Sequence, residues 1–145
     1  MKINNIVVLV EPVVVDCDSL DVVFTMDESG SVGKDNYEEI KSFLSHFVTN
    51  LDIDSGSARV GVVTYSAKVN EVIYLNSHST VASLQAAISS LSYTGGGTKT
   101  GEVLEYVRKK ILRESRGDRI DVPNVIVILT DGKSYKASNT EVCAL

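Results

Sequence analysis

Five oxygen-bearing side chains stand where an α/β chain turns from strand to loop or from loop to helix: Asp27, Ser29, Ser31, Thr98 and Asp131. Asp27 follows the apolar run Leu20-Asp-Val-Val-Phe-Thr-Met26, and Asp131 follows Val125-Ile-Val-Ile-Leu129 after one threonine. In an open parallel sheet, ligands bind at that end of the strands, at the point where strand order reverses. If the two runs are neighbouring strands, both carboxylates and all three hydroxyls converge on one crevice. Two carboxylates about 5 Å apart repel by on the order of 3 kcal/mol at an effective dielectric of roughly 20, so a positive charge belongs between them. Carboxylates and alcohols without His or Cys are hard donors, which favours Mg²⁺, with Mn²⁺ or Ca²⁺ next, over zinc or copper. Five such ligands leave an octahedral ion one position for an outside group. An acidic side chain on a partner protein has the charge and the oxygen to take it, and the helices starting after Gly33 and Thr98 aim their positive ends the same way.

The elements that must hold these groups are legible in the hydrophobic pattern. Leu20 to Met26, Arg59 to Tyr65 and Val125 to Leu129 read as strands buried on both faces. Val69 to Leu75 is mixed in polarity, and the short Ser66-Ala67-Lys68 link permits only an antiparallel hairpin, which makes it an edge strand guarded by Glu71. Tyr37, Ile40, Leu44, Phe47, Val48 and Leu51 predict a helix from about Asp35 to Leu51, with Asp35 and Glu38 resembling a capping box and Glu39, Ser42 and His46 on the polar side. Thr80 caps a second helix carrying Val81, Leu84, Ile88 and Leu91. After Thr94-Gly95-Gly96-Gly97-Thr98, a third buries Val103, Leu104, Val107 and Ile111 and pairs Glu105 with Lys109. This alternation predicts an α/β fold with a doubly wound, mainly parallel sheet. The last strand is followed by too little chain to supply an evident element for its outer edge, which leaves that edge exposed.

Composition bounds the function. The 145 residues suit one domain, and 14 basic against 19 acidic residues give a net charge of −5, opposite in sign to the usual nucleic-acid binder. No apolar run nears the roughly 18–20 residues that cross a bilayer. Cys17 and Cys143 are too few for a disulfide framework or a four-thiolate zinc site. Residues 1–17 read as a leader or an extra strand, because Glu11-Pro12 interrupts Ile6 to Val10 before it reaches the length of a signal segment.

Three short motifs carry a resemblance. Asp27-Glu28-Ser29-Gly30-Ser31 is similar to the DxSGS element of von Willebrand factor type A domains, Gly96-Gly97-Thr98-Lys99-Thr100-Gly101 to their GGTxTG element, and Thr130-Asp131-Gly132 to their TDG element. They occur in the family's order, the similarity covers roughly Leu20 to Ser134, and the run most resembles extracellular-matrix members such as matrilins and type VI collagen. The resemblance implies a Rossmann-like fold with a metal-ion-dependent adhesion site (MIDAS), in which Ser29, Ser31 and Thr98 bind the ion directly and Asp27 and Asp131 bind directly or through water. It also implies adhesion or matrix assembly outside the cell, with collagen or another matrix protein offering the carboxylate. Family members continue past the TDG strand with further helices and two more strands, so residues 18–145 are expected to form a domain that is incomplete at its C-terminal end, after the fourth core strand. Cys17 matches the front position of the family's flanking cysteine pair, and Cys143 lies too early for the rear one.

Other chemistries fit less well. Gly30 to Lys34 is too short for a phosphate loop, with Asp35 where Ser or Thr is required, and Ser29 stands where a nucleophile elbow needs glycine. Neither His46 nor His78 is placed for a catalytic triad, so no catalytic residue is assigned. The alternatives are a structural type A module with a non-functional metal site and, less favoured, a metal-dependent hydrolase. Glu28 reads as a solvated loop residue. Arg116-Gly117-Asp118 is a tripeptide that integrins read, but as part of a flexible polar loop it reads more simply as an ordinary connection.

Overall fold

A computed structural model describes residues 5–10, as backbone, and residues 19–130. Among these residues five strands form one sheet in the order β1-β5-β2-β3-β4, with β1 at Asn5–Val10, β2 at Leu20–Asp27, β3 at Ala58–Tyr65, β4 at Val69–Ile73 and β5 at Asn124–Thr130. The centre is β2, buried along nearly its whole length. It pairs in parallel with β3 from Leu20↔Ala58 to Asp27↔Tyr65, and with β5 from Asp21↔Asn124 to Met26↔Leu129. The hairpin strand β4 runs antiparallel to β3 at one edge, as the short link after Tyr65 requires. At the other edge the expectation of an uncovered strand is overturned. β1 lies antiparallel along β5, with Asn5 opposite Thr130 and Val10 opposite Val125, and supplies the backbone partners that the edge needs.

Helices cover both faces, and the period-two alternation of β2 sorts its side chains between them. Val22, Phe24 and Met26 pack with Tyr37, Ile40 and Leu44 of α1 (Lys34–Phe47) and with Leu84 and Ile88 of α2 (Val81–Ser90). Val23 faces the other way, into a cluster with Val63, Val103, Leu104 and Ile111. The last three come from α3 (Thr100–Tyr106) and from the wider π turn, Val107–Ile111, that continues it. The layout is therefore doubly wound, and strand order reverses between β5 and β3, at β2 itself. The capping box expected at Asp35 does not form. The residue ahead of α1 is Gly33, at φ 76°, Asp35 sits in the first turn, and Glu38 pairs with Lys41 at 3.2 Å instead. Thr80 does cap α2, accepting from the Ser83 N–H at 3.2 Å.

The end of the sheet away from the motifs is closed by a buried charge. Asp21 is fully buried, and Arg119 binds it through Nε at 2.9 Å, Nη2 at 2.6 Å and its own backbone N–H at 2.9 Å. The same guanidinium donates to the carbonyls of Leu20, Gly56 and Ser57, tying the β5 approach to the starts of β2 and β3. Removing one partner of such a pair leaves the other charge buried and uncompensated. Arg119→Ala is therefore expected to lower the unfolding free energy by about 3–5 kcal/mol, read by urea denaturation followed by circular dichroism.

Candidate metal centre

The parallel ladder carries β2 straight to the ligand-binding end of the sheet, where Asp27 is its last residue and has 0% exposure. Its Oδ1 accepts the Ser29 N–H at 2.9 Å, an Asx-type turn that folds the chain back over the strand end. The Ser29 and Ser31 hydroxyls lie 3.0 Å apart, and the Ser29 carbonyl accepts from the N–H groups of Val32 and Gly33 at 3.1 and 3.2 Å. This turn leads directly into α1. Asp27, Ser29 and Ser31 are thus brought together by local geometry.

Thr98 arrives from a distant segment. Gly95 and Gly96 take φ values of 71° and 109°, a region that L side chains rarely adopt, and the loop bends over the Asp27–Ser31 turn. The Gly96 carbonyl accepts the Gly30 N–H at 2.8 Å, and the Lys99 N–H donates to the Ser66 carbonyl at 3.0 Å. Thr98 lies between these two ties and is buried. From the other side, β5 ends at Thr130, whose hydroxyl donates to Asp27 Oδ2 at 2.6 Å. Asp131 lies outside the described residues, as do Cys17 and Cys143. The neighbouring strands on which the convergence depends are present, since β5 pairs directly with β2.

The donor chemistry suits a hard cation: one buried carboxylate, two hydroxyls in contact and a third on a loop tied to the same turn. Among the described residues, no three of His, Cys, Asp and Glu gather into a group able to hold a metal. His46 lies on the exposed side of α1, as its spacing predicts.

Two other readings are corrected. Glu28 is no solvated residue: it has 0% exposure, and its N–H extends the β2 ladder by donating to the Tyr65 carbonyl at 2.9 Å. Its Oε1 accepts from the Thr94 hydroxyl at 2.9 Å and from the Asn70 amide, while Oε2 has no hydrogen-bond partner among the described residues. Burial pushes its pKa up, the hydrogen bonds from Thr94 and Asn70 oppose that rise, and Glu71 adds to it. Alternation was the available signal, because Glu28 is two residues beyond Met26 and so belongs on the face covered by α1 and α2. Tyr37, from α1, is buried on that face with its hydroxyl unpartnered among the described residues, and burial and then Glu28 push its pKa up as well.

The Arg116-Gly117-Asp118 segment is likewise pinned rather than flexible. Arg116 stacks on Tyr74 at 4.2 Å, the Gly117 carbonyl accepts from Arg59 at 2.7 Å, and Asp118 accepts from Asn124 at 2.9 Å. Gly117 has φ 97°, and a Cβ there would meet the Asn76 backbone nitrogen at 2.6 Å.

A doubly wound, mainly parallel sheet with helices on both faces, whose central strand ends at the switch point, defines the class of the domain as open α/β. The family model for the von Willebrand factor type A domain matches residues 21–144. The chain belongs to that family. It is 36% identical over 125 residues to the collagen alpha-4(VI) chain of Mus musculus, covering 85% of this chain and 5% of that one. It is 37% identical over 119 residues to matrilin-1 of Homo sapiens, covering 82% of this chain and 24% of the relative. It therefore spans only a small part of the length of these curated relatives. Among solved structures, proximal thread matrix protein 1 from the mussel byssus superposes with a TM-score of 0.77 at 24% identity, covering 86% of this chain and 35% of that one. A structure of the same mussel protein with a zinc-occupied MIDAS motif gives a TM-score of 0.75 at 23% identity, with the same coverage.

The buried Glu28 gives a pH signature. Because its folded pKa is raised, its contribution to stability is full below the ordinary carboxyl range and is lost as pH rises through the folded value. Glu28→Gln keeps the acceptor and removes the ionisation. In metal-free thermal melts, the variant is expected to exceed the wild type in Tm at pH 7.5, with the difference shrinking towards pH 4. A difference that is constant with pH contradicts the assignment.

Proposed function

We propose that this chain is a divalent-cation-dependent protein-binding module of the extracellular matrix, in which Asp27, Ser29, Ser31 and Thr98, with Asp131, hold Mg²⁺ and a partner protein offers a carboxylate to it. The observation that carries the reading is the buried Asp27 carboxylate folded back on Ser29 at 2.9 Å, in a turn where two hydroxyls stand 3.0 Å apart. When bound, the ion supplies positive charge and an open coordination position. The protein's own residues supply the rest. Asp27, with Asp131, would contribute the compensating charge, the serine and threonine hydroxyls would contribute neutral oxygens that add no further negative charge, and the Gly30–Gly96 backbone bond keeps the two loops together.

Several observations support this reading. The matched relatives are collagen and matrilin chains, which favours matrix assembly or adhesion and an extracellular site of action. The mussel protein with zinc in its MIDAS motif supports a divalent ion as the ligand class for this fold. The hard oxygen donors here favour Mg²⁺ over zinc. No described helix is long and apolar enough to cross a membrane. Binding is preferred to catalysis because Ser29 and Ser31 contact one another, and the exposed His46 belongs to the far side of α1.

Asp27→Ala removes the carboxylate and is expected to weaken Mg²⁺ binding more than tenfold in calorimetric titration, a loss above about 1.4 kcal/mol, with the circular dichroism of the fold retained. Capture of the wild-type chain on immobilised collagen is expected to be abolished by EDTA and restored by Mg²⁺. Unchanged Mg²⁺ affinity in the variant defeats the ligand assignment. Capture that ignores EDTA identifies a structural module instead.

A further inference from the structure

Glu28 lies outside the proposed ligand set, yet it is as deeply buried as Asp27. Its Oε1 gathers donors from two other segments: Thr94, at the start of the glycine loop, and Asn70, on β4. Asn70 also donates to the Ser66 hydroxyl at 3.1 Å and to the Thr94 hydroxyl at 3.2 Å. Ser66 in turn accepts the Lys99 N–H through its carbonyl and lies against Gly96, where an added Cβ would come within 3.3 Å of its hydroxyl. One carboxylate thus sits at the junction of the β2 end, the β3–β4 hairpin and the glycine loop.

The glycine loop has little of its own to fix its path. Gly95 and Gly96 lack side chains and adopt positive φ, so the loop's course depends on its ties to neighbours. Those ties are the Thr94 side chain at its start, the Gly96 carbonyl to Gly30, and the Lys99 N–H to Ser66 at its end. A carboxyl group is suited to the first, because its one oxygen accepts from Thr94 and Asn70 together. Keeping Glu28 buried with one oxygen unpartnered among the described residues is unfavourable for folding alone. Its cost is understandable where the loop geometry has a use.

We propose that Glu28 is a positioning residue for the metal centre: by holding Thr94 and Asn70 it fixes the start of the glycine loop, and thereby the place of the Thr98 hydroxyl relative to Asp27, Ser29 and Ser31. This rests on the ion assignment above and extends it to a residue that touches no ion.

The test uses Thr94→Val in the full chain, since Thr94 is exposed and the substitution removes only the hydroxyl's hydrogen bonding. Amide hydrogen exchange across Gly95 to Lys99, measured without metal, is expected to speed up about tenfold, because the hydrogen bond to Glu28 no longer closes the loop. Mg²⁺ affinity by calorimetry is expected to fall by about five- to tenfold, with the metal-free Tm little changed. Thr94→Ser restores the donor and is expected to recover both readouts. Glu28→Ala is expected to reproduce the effect, and adding Thr94→Val to it to change little more, the non-additivity of two groups in one contact. If Glu28→Ala does not fold, the Thr94 pair carries the test. Unchanged exchange in Thr94→Val overturns the proposal. Faster exchange with unchanged Mg²⁺ affinity overturns it too, while leaving the ion assignment standing. A wild-type chain that takes no Mg²⁺ overturns the ion assignment and the role given to Thr98 together.

Discussion

Parallel backbone pairing on both sides of β2 is the constraint from which the site follows. Met26 stands opposite Leu129 and Asp27 opposite Tyr65, so three strands reach the same end of the sheet together. A buried strand has to satisfy every peptide group through its neighbours, and any slip in register would turn side chains to the wrong face. The register that packs Val22, Phe24 and Met26 on one side and Val23 on the other also delivers Asp27 to the hydroxyl of a residue 103 positions away. Core packing and site assembly are one event here.

Loops complete what the ladders begin, and they do so mostly through backbone. The Ser29 carbonyl closes the turn into α1, the Gly96 carbonyl reaches across to Gly30, and the Ser66 carbonyl catches Lys99. Side chains enter where backbone alone would leave freedom: Glu28 at Thr94 and Asn70, and the Tyr93 hydroxyl donating to the Ser29 carbonyl at 3.2 Å. Glycine at 95 and 96 is explained by backbone, since both take positive φ, and at Gly96 an added Cβ would also come within 3.3 Å of the Ser66 hydroxyl.

Much of this was legible in the chain itself, because it is written in local patterns. Apolar runs marked β2, β3 and β5, the length of the Ser66–Lys68 link fixed the antiparallel β4, and helical spacing marked the buried stripes of all three helices. What was hidden depends on contacts between distant segments. The pairing of Asn5–Val10 with β5 has no local signature, since composition can show a strand but not its neighbour. The Arg119–Asp21 clamp joins residues 98 apart, and the pinned tripeptide depends on Arg59, Tyr74 and Asn124. Glu28 is the instructive case. Its neighbours in sequence look like a polar loop, whereas the strand's alternation, continued two residues past Met26, assigns it to the interior.

Strand β2 bears an aspartate near each end, both of them buried. At one end Asp21 is answered by a guanidinium from within the molecule, and at the other Asp27 takes hydrogen bonds from neutral donors, the Ser29 amide and the Thr130 hydroxyl. Six residues of extended chain separate them by about 20 Å. The Arg119 guanidinium compensates Asp21 at contact distance, so little of that charge is felt at Asp27. Sequence drift among the loops at the Asp27 pole can proceed while the Asp21 pole goes on locking the sheet.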